Sequence, residues 1–256
     1  MNVRSGLEVL LDDPRPIAAK KIGLVTNQSA VTSDLRHAVR VLHAGRGWKL
    51  TALFGPEHGI WGEAQDMEHV DHTTDPLTGL PVYSLYGRDE KDLAPRREVL
   101  KTIDALVIDL QDIGSRYYTF IYTMALCMRE AAPIGLPVIV LDRPNPIDGV
   151  HLEGNIREEK YSSFVGMFPL PTRHGMTPGE LARFFNTARN QGEALTGDEK
   201  QLYDLVLQWR MLRENETGVA VVEPERILIT IPQASSVNGC SSCSVTTARW
   251  ASSSQT

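Results

Sequence analysis

The sequence lacks the features that mark several large classes of protein. Its three cysteines are an odd count and make no disulfide framework. No apolar run is long enough to span a bilayer, and residues 1–11 lack the apolar core of a secretory signal. The 26 basic and 32 acidic residues give a net charge of −6, without the basic stripe that phosphate contacts require. We therefore predict a cytoplasmic protein that binds neither membrane nor nucleic acid, and the sequence leaves its oligomeric state open.

Three common signatures of cofactor and nucleophile chemistry are also missing. The first predicted strand runs into Thr26-Asn-Gln-Ser29, where a dinucleotide site would have Gly-x-Gly-x-x-Gly. No Gly-x-x-x-x-Gly-Lys-[Ser/Thr] loop for nucleotide phosphates is present, and no Gly-x-Ser-x-Gly nucleophile elbow. We expect that the protein uses no cofactor.

The sequence does contain a regular alternation of apolar strands and helical segments. The predicted strands cover residues 21–27, 48–54, 81–85, 104–110 and 137–141. Helical spacing of apolar residues follows in three of the intervals, and Ser33 or Asp34 can cap the first of these helices. This alternation predicts an α/β fold, an open parallel sheet with helices on both faces.

The alternation loosens beyond residue 146. Thr177-Pro-Gly-Glu180 is typical of a helix start, because Thr177 can cap the helix and Glu180 occupies the capping-box position. Farther along, residues 201–212 fit an amphipathic helix and residues 226–231 fit a strand.

Polar residues follow the predicted strands. The carboxyl ends of parallel strands meet at one edge of a sheet, and ligands of open α/β sheets bind there. Carboxylates with His, Arg and Tyr are the groups for acid and base chemistry on a polar substrate such as a glycoside. The candidates at this edge are Asn27, Glu57, His58, Asp109, Gln111, Asp112, Arg116, Tyr117, Tyr118, Asp142, Arg143 and Asn145, joined by Arg173 and His174 at a helix start that suits an anion.

Structural explanations exist for the same residues. Residues 57–58 can form a solvated turn, and Asp109 can cap a neighbouring helix. Asp112 and Arg116 can form a structural ion pair, residues 142–145 can serve only as turn formers, and the histidine before the last helix can be a satisfied internal group. These alternatives stay open at the level of sequence.

A metal site is a further alternative. His69 and His72, with His58 and Asp66 or Asp71, could ligate a metal ion in a metal-dependent hydrolase. An acidic, solvated loop explains the same residues, and we predict no metal. The pair Cys240-x-x-Cys243 supplies only half of a zinc site.

Four motifs in the same order resemble the signatures of the NamZ-type exo-β-N-acetylmuramidases, long catalogued as a domain of unknown function. The resemblance covers about residues 5–190. The motifs are Phe54-Gly-Pro-Glu-His-Gly-Ile60, Asp109-Leu-Gln-Asp-Ile-Gly-Ser-Arg-Tyr-Tyr118, Leu141-Asp-Arg-Pro-Asn-Pro-Ile147 and Pro171-Thr-Arg-His-Gly-Met-Thr177.

The resemblance implies a glycosidase that removes N-acetylmuramic acid from the non-reducing end of peptidoglycan fragments, in cell-wall turnover and recycling. The substrate would be a muropeptide or another saccharide that contains this sugar. The resemblance also implies a Rossmann-like domain joined to a smaller carboxyl-terminal domain, with the active site in the cleft between them.

On this interpretation Glu57 is the acid/base catalyst and His58 orients it or the sugar. Asp109 or Asp112 is the second carboxylate. Guanidinium groups bind carboxylates in a bidentate fork, so arginines are expected at the lactyl group of muramic acid, and a tyrosine is expected on a sugar face. The residues expected to bind substrate are Asn27, Gln111, Arg116, Tyr117, Tyr118, Asp142, Arg143, Asn145, Arg173 and His174.

The sequence departs from the family pattern after about Gly192, where the usual Trp- and Pro-rich segment and the long second domain are not found. We predict a catalytic domain over residues 1–190 and an atypical or truncated region over 191–256, with 234–256 disordered because it is rich in Ser and Thr and has no apolar period. A catalytically inactive muropeptide-binding module is therefore an alternative to the enzyme.

Overall fold

The computed structural model describes residues 4–62, 73–87, 90–190, 219–220 and 227–230. The strands in these residues are β1 (Lys21–Thr26), β2 (Lys49–Gly55), β3 (Thr73–Thr74), β4 (Pro81–Ser84), β5 (Ala105–Asp109), β6 (Val138–Leu141), β7 (Glu153–Ile156), β8 (Pro171–Arg173), β9 (Val219–Ala220) and β10 (Ile227–Thr230). The α-helices are α1 (Gly6–Asp12), α2 (Ala38–Ala44), α3 (Arg97–Leu100), α4 (Phe120–Ala131) and α5 (Pro178–Asn190).

The main sheet has the strand order β3-β4-β2-β1-β5-β6-β10-β9. Six of these strands, β4 through β10 in that order, pair in parallel, which confirms the predicted α/β fold with an open parallel sheet. The two-residue strands at the edges, β3 and β9, pair antiparallel and were not predicted. The strand order reverses between β1 and β5, where Thr26 lies opposite Asp109. This reversal is the position at which open α/β sheets bind ligands.

The parallel strands form where the sequence has continuous apolar runs. Every residue of β5 and β6 is buried, as are the last five residues of β1. Strands that are covered by helices on both faces need apolar side chains on both sides, so they show no alternation with polar residues. The five strands predicted from these runs are confirmed, each to within about two residues at its ends.

Helix α2 begins later than predicted, and the proposed caps Ser33 and Asp34 are wrong. Its N-cap is His37, whose Nδ1 accepts a hydrogen bond from the Val39 N–H at 3.2 Å. Leu35 has a φ of 61°, a left-handed conformation that no helix contains, so the chain is still turning at that point.

Helix α5 begins as predicted, with a capping box. The Thr177 N–H donates to Glu180 Oε2 at 2.8 Å, and the Glu180 N–H donates to Thr177 Oγ1 at 3.3 Å. Two of the N–H groups at this helix end are thereby satisfied.

A second, two-stranded sheet of β7 and β8 lies beside the loop that follows β5, and it was not predicted. The Arg116 N–H donates to the Thr172 carbonyl at 2.8 Å, and Ser115 forms a bridge with Arg173. These contacts fix β8, and the residues that follow it, against the carboxyl end of the main sheet.

The strand predicted over residues 226–231 is confirmed as β10, which extends the main sheet beside β6. The helix predicted over 201–212 and the disorder predicted over 234–256 fall outside the described residues. Among the helices that the structure describes, none has the length and hydropathy to cross a membrane.

Candidate active site

Asp109 and Arg143 form a buried ion pair at the carboxyl edge of the sheet. Asp109 ends β5, and Arg143 lies two residues beyond the end of β6. Arg143 Nε and Nη2 donate to the two carboxylate oxygens at 2.6 and 3.0 Å, and Nη1 donates to the Val31 carbonyl at 3.0 Å. The alternative that Asp109 caps a helix is therefore wrong, since both of its oxygens bind a guanidinium.

Glu57 lies in the turn that follows β2. His58 and Gly59 have φ values of 69° and 78°, so the chain reverses tightly at this point. Glu57 Oε2 accepts a hydrogen bond from Thr119 Oγ1 at 2.7 Å, and Thr119 immediately precedes α4. Glu57 is half-buried. One carboxylate oxygen is thus oriented by a hydroxyl group, and no ion pair within the described residues neutralises it.

Asp112 lies in the loop after β5 and contacts His174. Asp112 Oδ2 accepts the Gly114 N–H at 2.7 Å and lies 3.3 Å from His174 Nε2. His174 Nδ1 accepts the Met176 N–H at 3.2 Å. Asp112 and His174 are both buried.

The alternative that Asp112 pairs with Arg116 is wrong. Arg116 Nη1 donates instead to the carbonyls of Asn155 and Leu170, at 2.6 and 2.5 Å. This guanidinium ties the loop after β5 to the second sheet.

Three amides are also placed at this edge. Asn27 follows β1, is fully buried and accepts Ser29 Oγ at 3.0 Å. Gln111 Nε2 donates to the Pro144 carbonyl at 3.1 Å, and Asn145 Nδ2 donates to the Met176 carbonyl at 3.0 Å. Gln111 and Asn145 thereby link the loops after β5, β6 and β8.

Asp142 is enclosed by donors at the start of α5. Its carboxylate accepts the N–H groups of Arg143 and Gly179 at 2.9 and 2.8 Å and Thr177 Oγ1 at 2.8 Å. Burial raises the pKa of Asp142 to about 7, and the negative charge of Glu180 adds to this, although the three donors act in the opposite direction. Asp142 joins the end of β6 to α5, as a cap that acts across the chain.

The remaining predicted residues lie nearer to solvent. Arg173 binds Asp148 and Glu153 through its two terminal nitrogens. Tyr117 and Tyr118 are 58% and 40% exposed, which leaves ring surface available to a ligand.

The described residues contain no group of three or more potential metal ligands. The residues of the alternative metal site, except for His58, fall outside the described ranges: Asp66, His69, Asp71 and His72.

Two contacts at the site were missed from the sequence. Thr119 is not among the predicted residues, although a hydroxyl residue directly after the Asp109–Tyr118 motif and before a helix is a possible donor to a carboxylate. His37 donates from Nε2 to the Asn27 carbonyl at 2.8 Å, and its ring centroid lies 4.6 Å from that of Trp61. Burial lowers the pKa of His37, which suits a neutral ring.

Comparison with known proteins identifies a family model and a curated relative. The family model described as "Exo-beta-N-acetylmuramidase NamZ, N-terminal" matches residues 22–211. A curated protein of Bacillus subtilis (strain 168), "Peptidoglycan beta-N-acetylmuramidase NamZ", is 50% identical over 185 residues, which cover 72% of this chain and 44% of that protein.

Two crystal structures of DUF1343 family proteins from Bacteroides fragilis NCTC 9343 are also similar. One has a TM-score of 0.66 and 45% identity, covering 72% of this chain and 46% of the other. The second has a TM-score of 0.62 and 32% identity, covering 74% and 48%. The chain thus spans about half the length of the relatives it matches. By its sequence over most of its length, and by its fold, the chain belongs to the NamZ exo-β-N-acetylmuramidase family, within the family's N-terminal domain.

Proposed function

We propose that the protein is a glycoside hydrolase that releases N-acetylmuramic acid from the non-reducing end of peptidoglycan fragments. The observation that carries this proposal is the family match over residues 22–211, which includes Glu57, Asp109, Asp112 and Arg143 at one edge of the sheet. The relative from Bacillus subtilis, 50% identical, is named for activity on peptidoglycan.

Glu57 is the proposed acid/base catalyst. General acid catalysis requires a carboxyl group that is oriented toward the leaving oxygen and is not neutralised by a cation. Thr119 Oγ1, 2.7 Å from Glu57 Oε2, provides the orientation. His58 is the proposed orienting residue for Glu57 or for the sugar.

The proposed partners for the substrate lie in the loops that follow the strands or precede α4 and α5. Arg173 is the proposed partner of the lactyl carboxylate because its side chain is 22% exposed, although its terminal nitrogens also bind Asp148 and Glu153. Arg116 and Arg143 have most of their contacts inside the protein. Tyr117 and Tyr118 are the proposed contacts for a sugar face. Asn27, Gln111, Asp142, Asn145 and His174 shape the same edge from inside.

The biological setting is also a proposal. We propose cell-wall turnover and recycling in the cytoplasm, with residues 1–190 as the catalytic domain and residues 191–256 as a separate region. β10, from the second of these ranges, nevertheless extends the sheet of the first.

A second candidate function is a muropeptide-binding module without catalytic activity. The observation that favours it is that the chain spans only 44–48% of the length of its relatives, so a part of their site can be supplied by sequence beyond the match.

Hydrolysis of a chromogenic N-acetyl-β-muraminide tests both candidates. The enzyme is expected to release the aglycone, and Glu57→Gln is expected to lower kcat by about 100-fold or more. Activity that survives chelation and requires no added metal also excludes the metal-dependent alternative. Binding of N-acetylmuramic acid in calorimetry without hydrolysis supports the binding module instead, and a fully active Glu57→Gln variant removes Glu57 from its proposed role.

A further inference from the structure

Asp109 ends β5 and Asp112 lies in the loop after it, and the carboxylate oxygens of the two residues differ in what they contact. Both oxygens of Asp109 accept hydrogen bonds from Arg143. Asp112 uses Oδ2 to accept the Gly114 N–H, whereas its Oδ1 is buried and has no hydrogen-bond partner among the described residues. A buried polar atom without a partner costs free energy, and such atoms in folded proteins call for a functional explanation.

His174 provides a second atom of this kind beside the first. Because Nδ1 accepts the Met176 N–H at 3.2 Å, the ring is neutral and carries its proton on Nε2. Nε2 lies 3.3 Å from Asp112 Oδ2 but is not aligned for a hydrogen bond, and it too lacks a partner among the residues described. One free acceptor, Asp112 Oδ1, therefore lies beside one free donor, His174 Nε2–H.

An acceptor beside a donor matches an O–H group, which can donate to the first and accept from the second. We propose that Asp112, rather than Asp109, is the second carboxylate of the glycosidase site, and that Asp112 Oδ1 and His174 Nε2 together hold an O–H group of the reaction. This group is either the attacking water or a hydroxyl of the muramic acid sugar. The inference rests on the proposed function of the site. Asp109 is then a positioning residue that acts through Arg143.

The surroundings of the pair favour this role. Asp112 is 2% exposed and His174 is fully buried, so bulk water does not compete for the two atoms and a hydrogen bond made there is strong. Backbone N–H groups also fix the side chains of both residues. The Gly114 N–H fixes the carboxylate, and the Met176 N–H fixes the imidazole ring and its tautomer.

Kinetics of variants with the chromogenic muraminide give the first test. If the O–H group is the attacking water, Asp112→Asn lowers kcat by about 100-fold or more with little change in KM. If it is a sugar hydroxyl, the same variant raises KM by about 10-fold or more, which corresponds to the loss of a hydrogen bond to a charged group. Asp112→Asn with kcat and KM both within about threefold of wild type overturns the proposal.

Chemical rescue separates the two carboxylates. If the group is water, azide is expected to restore part of the turnover of Asp112→Ala by entering the space of the missing carboxylate. Rescue of Asp109→Ala by azide, and not of Asp112→Ala, overturns the assignment. His174→Gln retains an N–H donor and is expected to keep more turnover than His174→Phe, a difference that a purely structural role would not produce.

A measurement on the wild-type protein does not depend on turnover. With isotope-labelled histidine, addition of N-acetylmuramic acid is expected to shift the ring resonances of His174 in the NMR spectrum. If His174 shifts while the protein hydrolyses nothing, the proposed enzyme fails and the ligand contact stands. Binding seen in calorimetry without any shift of His174 overturns the contact, and the absence of both binding and hydrolysis overturns both proposals.

Discussion

Asp109 ends β5 and Glu57 lies in the turn after β2, yet the carboxylates of these two residues are held in opposite ways. Asp109 is fully buried, and Arg143 donates to both of its oxygens. Glu57 is half-buried, and Thr119 donates one hydroxyl to one of its oxygens. A buried ion pair has little freedom to exchange protons with a ligand, whereas a carboxylate oriented by one hydroxyl keeps that freedom.

The difference teaches that a polar residue at a strand end does not reveal its role by position alone. Asp109 contributes mainly to the architecture of the edge, because its partner Arg143 follows the neighbouring parallel strand β6. We propose that Glu57 contributes mainly to chemistry. The two roles make different predictions for stability and for turnover, and the variants below test them from the largest expected effect to the smallest.

Asp109→Asn is expected to give the largest loss of stability. Arg143 would remain buried with an uncompensated charge, and breaking such a pair costs about 3–5 kcal/mol. The free energy of unfolding from urea titration measures this loss. A loss below about 1 kcal/mol would mean that the pair is not structural, and the contrast with Glu57 would disappear.

Asp142→Asn is expected to change how stability depends on pH. Burial raises the pKa of Asp142 from 3.8 to about 7, so its stabilising contribution is complete below about pH 4 and is lost as the pH rises through 7. Asparagine does not titrate: its Oδ1 can accept the same two N–H groups, and its Nδ2 can donate to Thr177 Oγ1. Between pH 4 and 8, the unfolding free energy of the variant should therefore fall by roughly 2–4 kcal/mol less than that of the wild type. Parallel pH profiles for wild type and variant would contradict this account of Asp142.

Thr119→Val is expected to act on turnover more than on stability. It removes the hydroxyl that orients Glu57, and a hydrogen bond to a charged group contributes about 1.5–3 kcal/mol, so kcat should fall roughly 10-fold to 100-fold. Thr119→Ser keeps the hydroxyl and is the matched control. Equal kcat values for the two variants would show that the hydroxyl does not orient the catalyst.

Asp148→Asn is expected to have the smallest effect. The pair of Asp148 with Arg173 is partly exposed, at 28% and 22% of the two side chains, and solvent screening makes the contribution of such pairs to stability small. The same substitution, Asp to Asn, thus compares an exposed pair with the buried pair of Asp109. A loss as large as that of Asp109→Asn would show that burial does not separate the two pairs.

The sequence was sufficient to predict the elements that depend on local apolar pattern. The runs at β1, β2, β5 and β6 are continuous and end in polar residues, so their position, their parallel arrangement and the polar edge could be predicted. The start of α2 could not, because Asp34 accepts a hydrogen bond from Thr32 Oγ1 in a turn, and neither Ser33 nor Asp34 caps the helix.

The partners within the site could not be predicted because they are distant in sequence. Asp109 and Arg143 are 34 residues apart, and Glu57 and Thr119 are 62 residues apart. No local pattern shows that Arg143 binds both carboxylate oxygens of Asp109. Nor does one show that Glu57 is bound by a hydroxyl group and not by a cation. The strand register decides this, and the register follows from packing of the whole sheet.

The central claim is that Glu57 serves chemistry while Asp109 serves the fold. The most direct test measures turnover of N-acetyl-β-muraminide and the free energy of unfolding on the same preparations of wild type and Glu57→Gln. We predict a fall in kcat of about 100-fold or more, with a change in unfolding free energy within about 1 kcal/mol. Turnover within threefold of wild type, or a loss of stability comparable to that of Asp109→Asn, would contradict the claim.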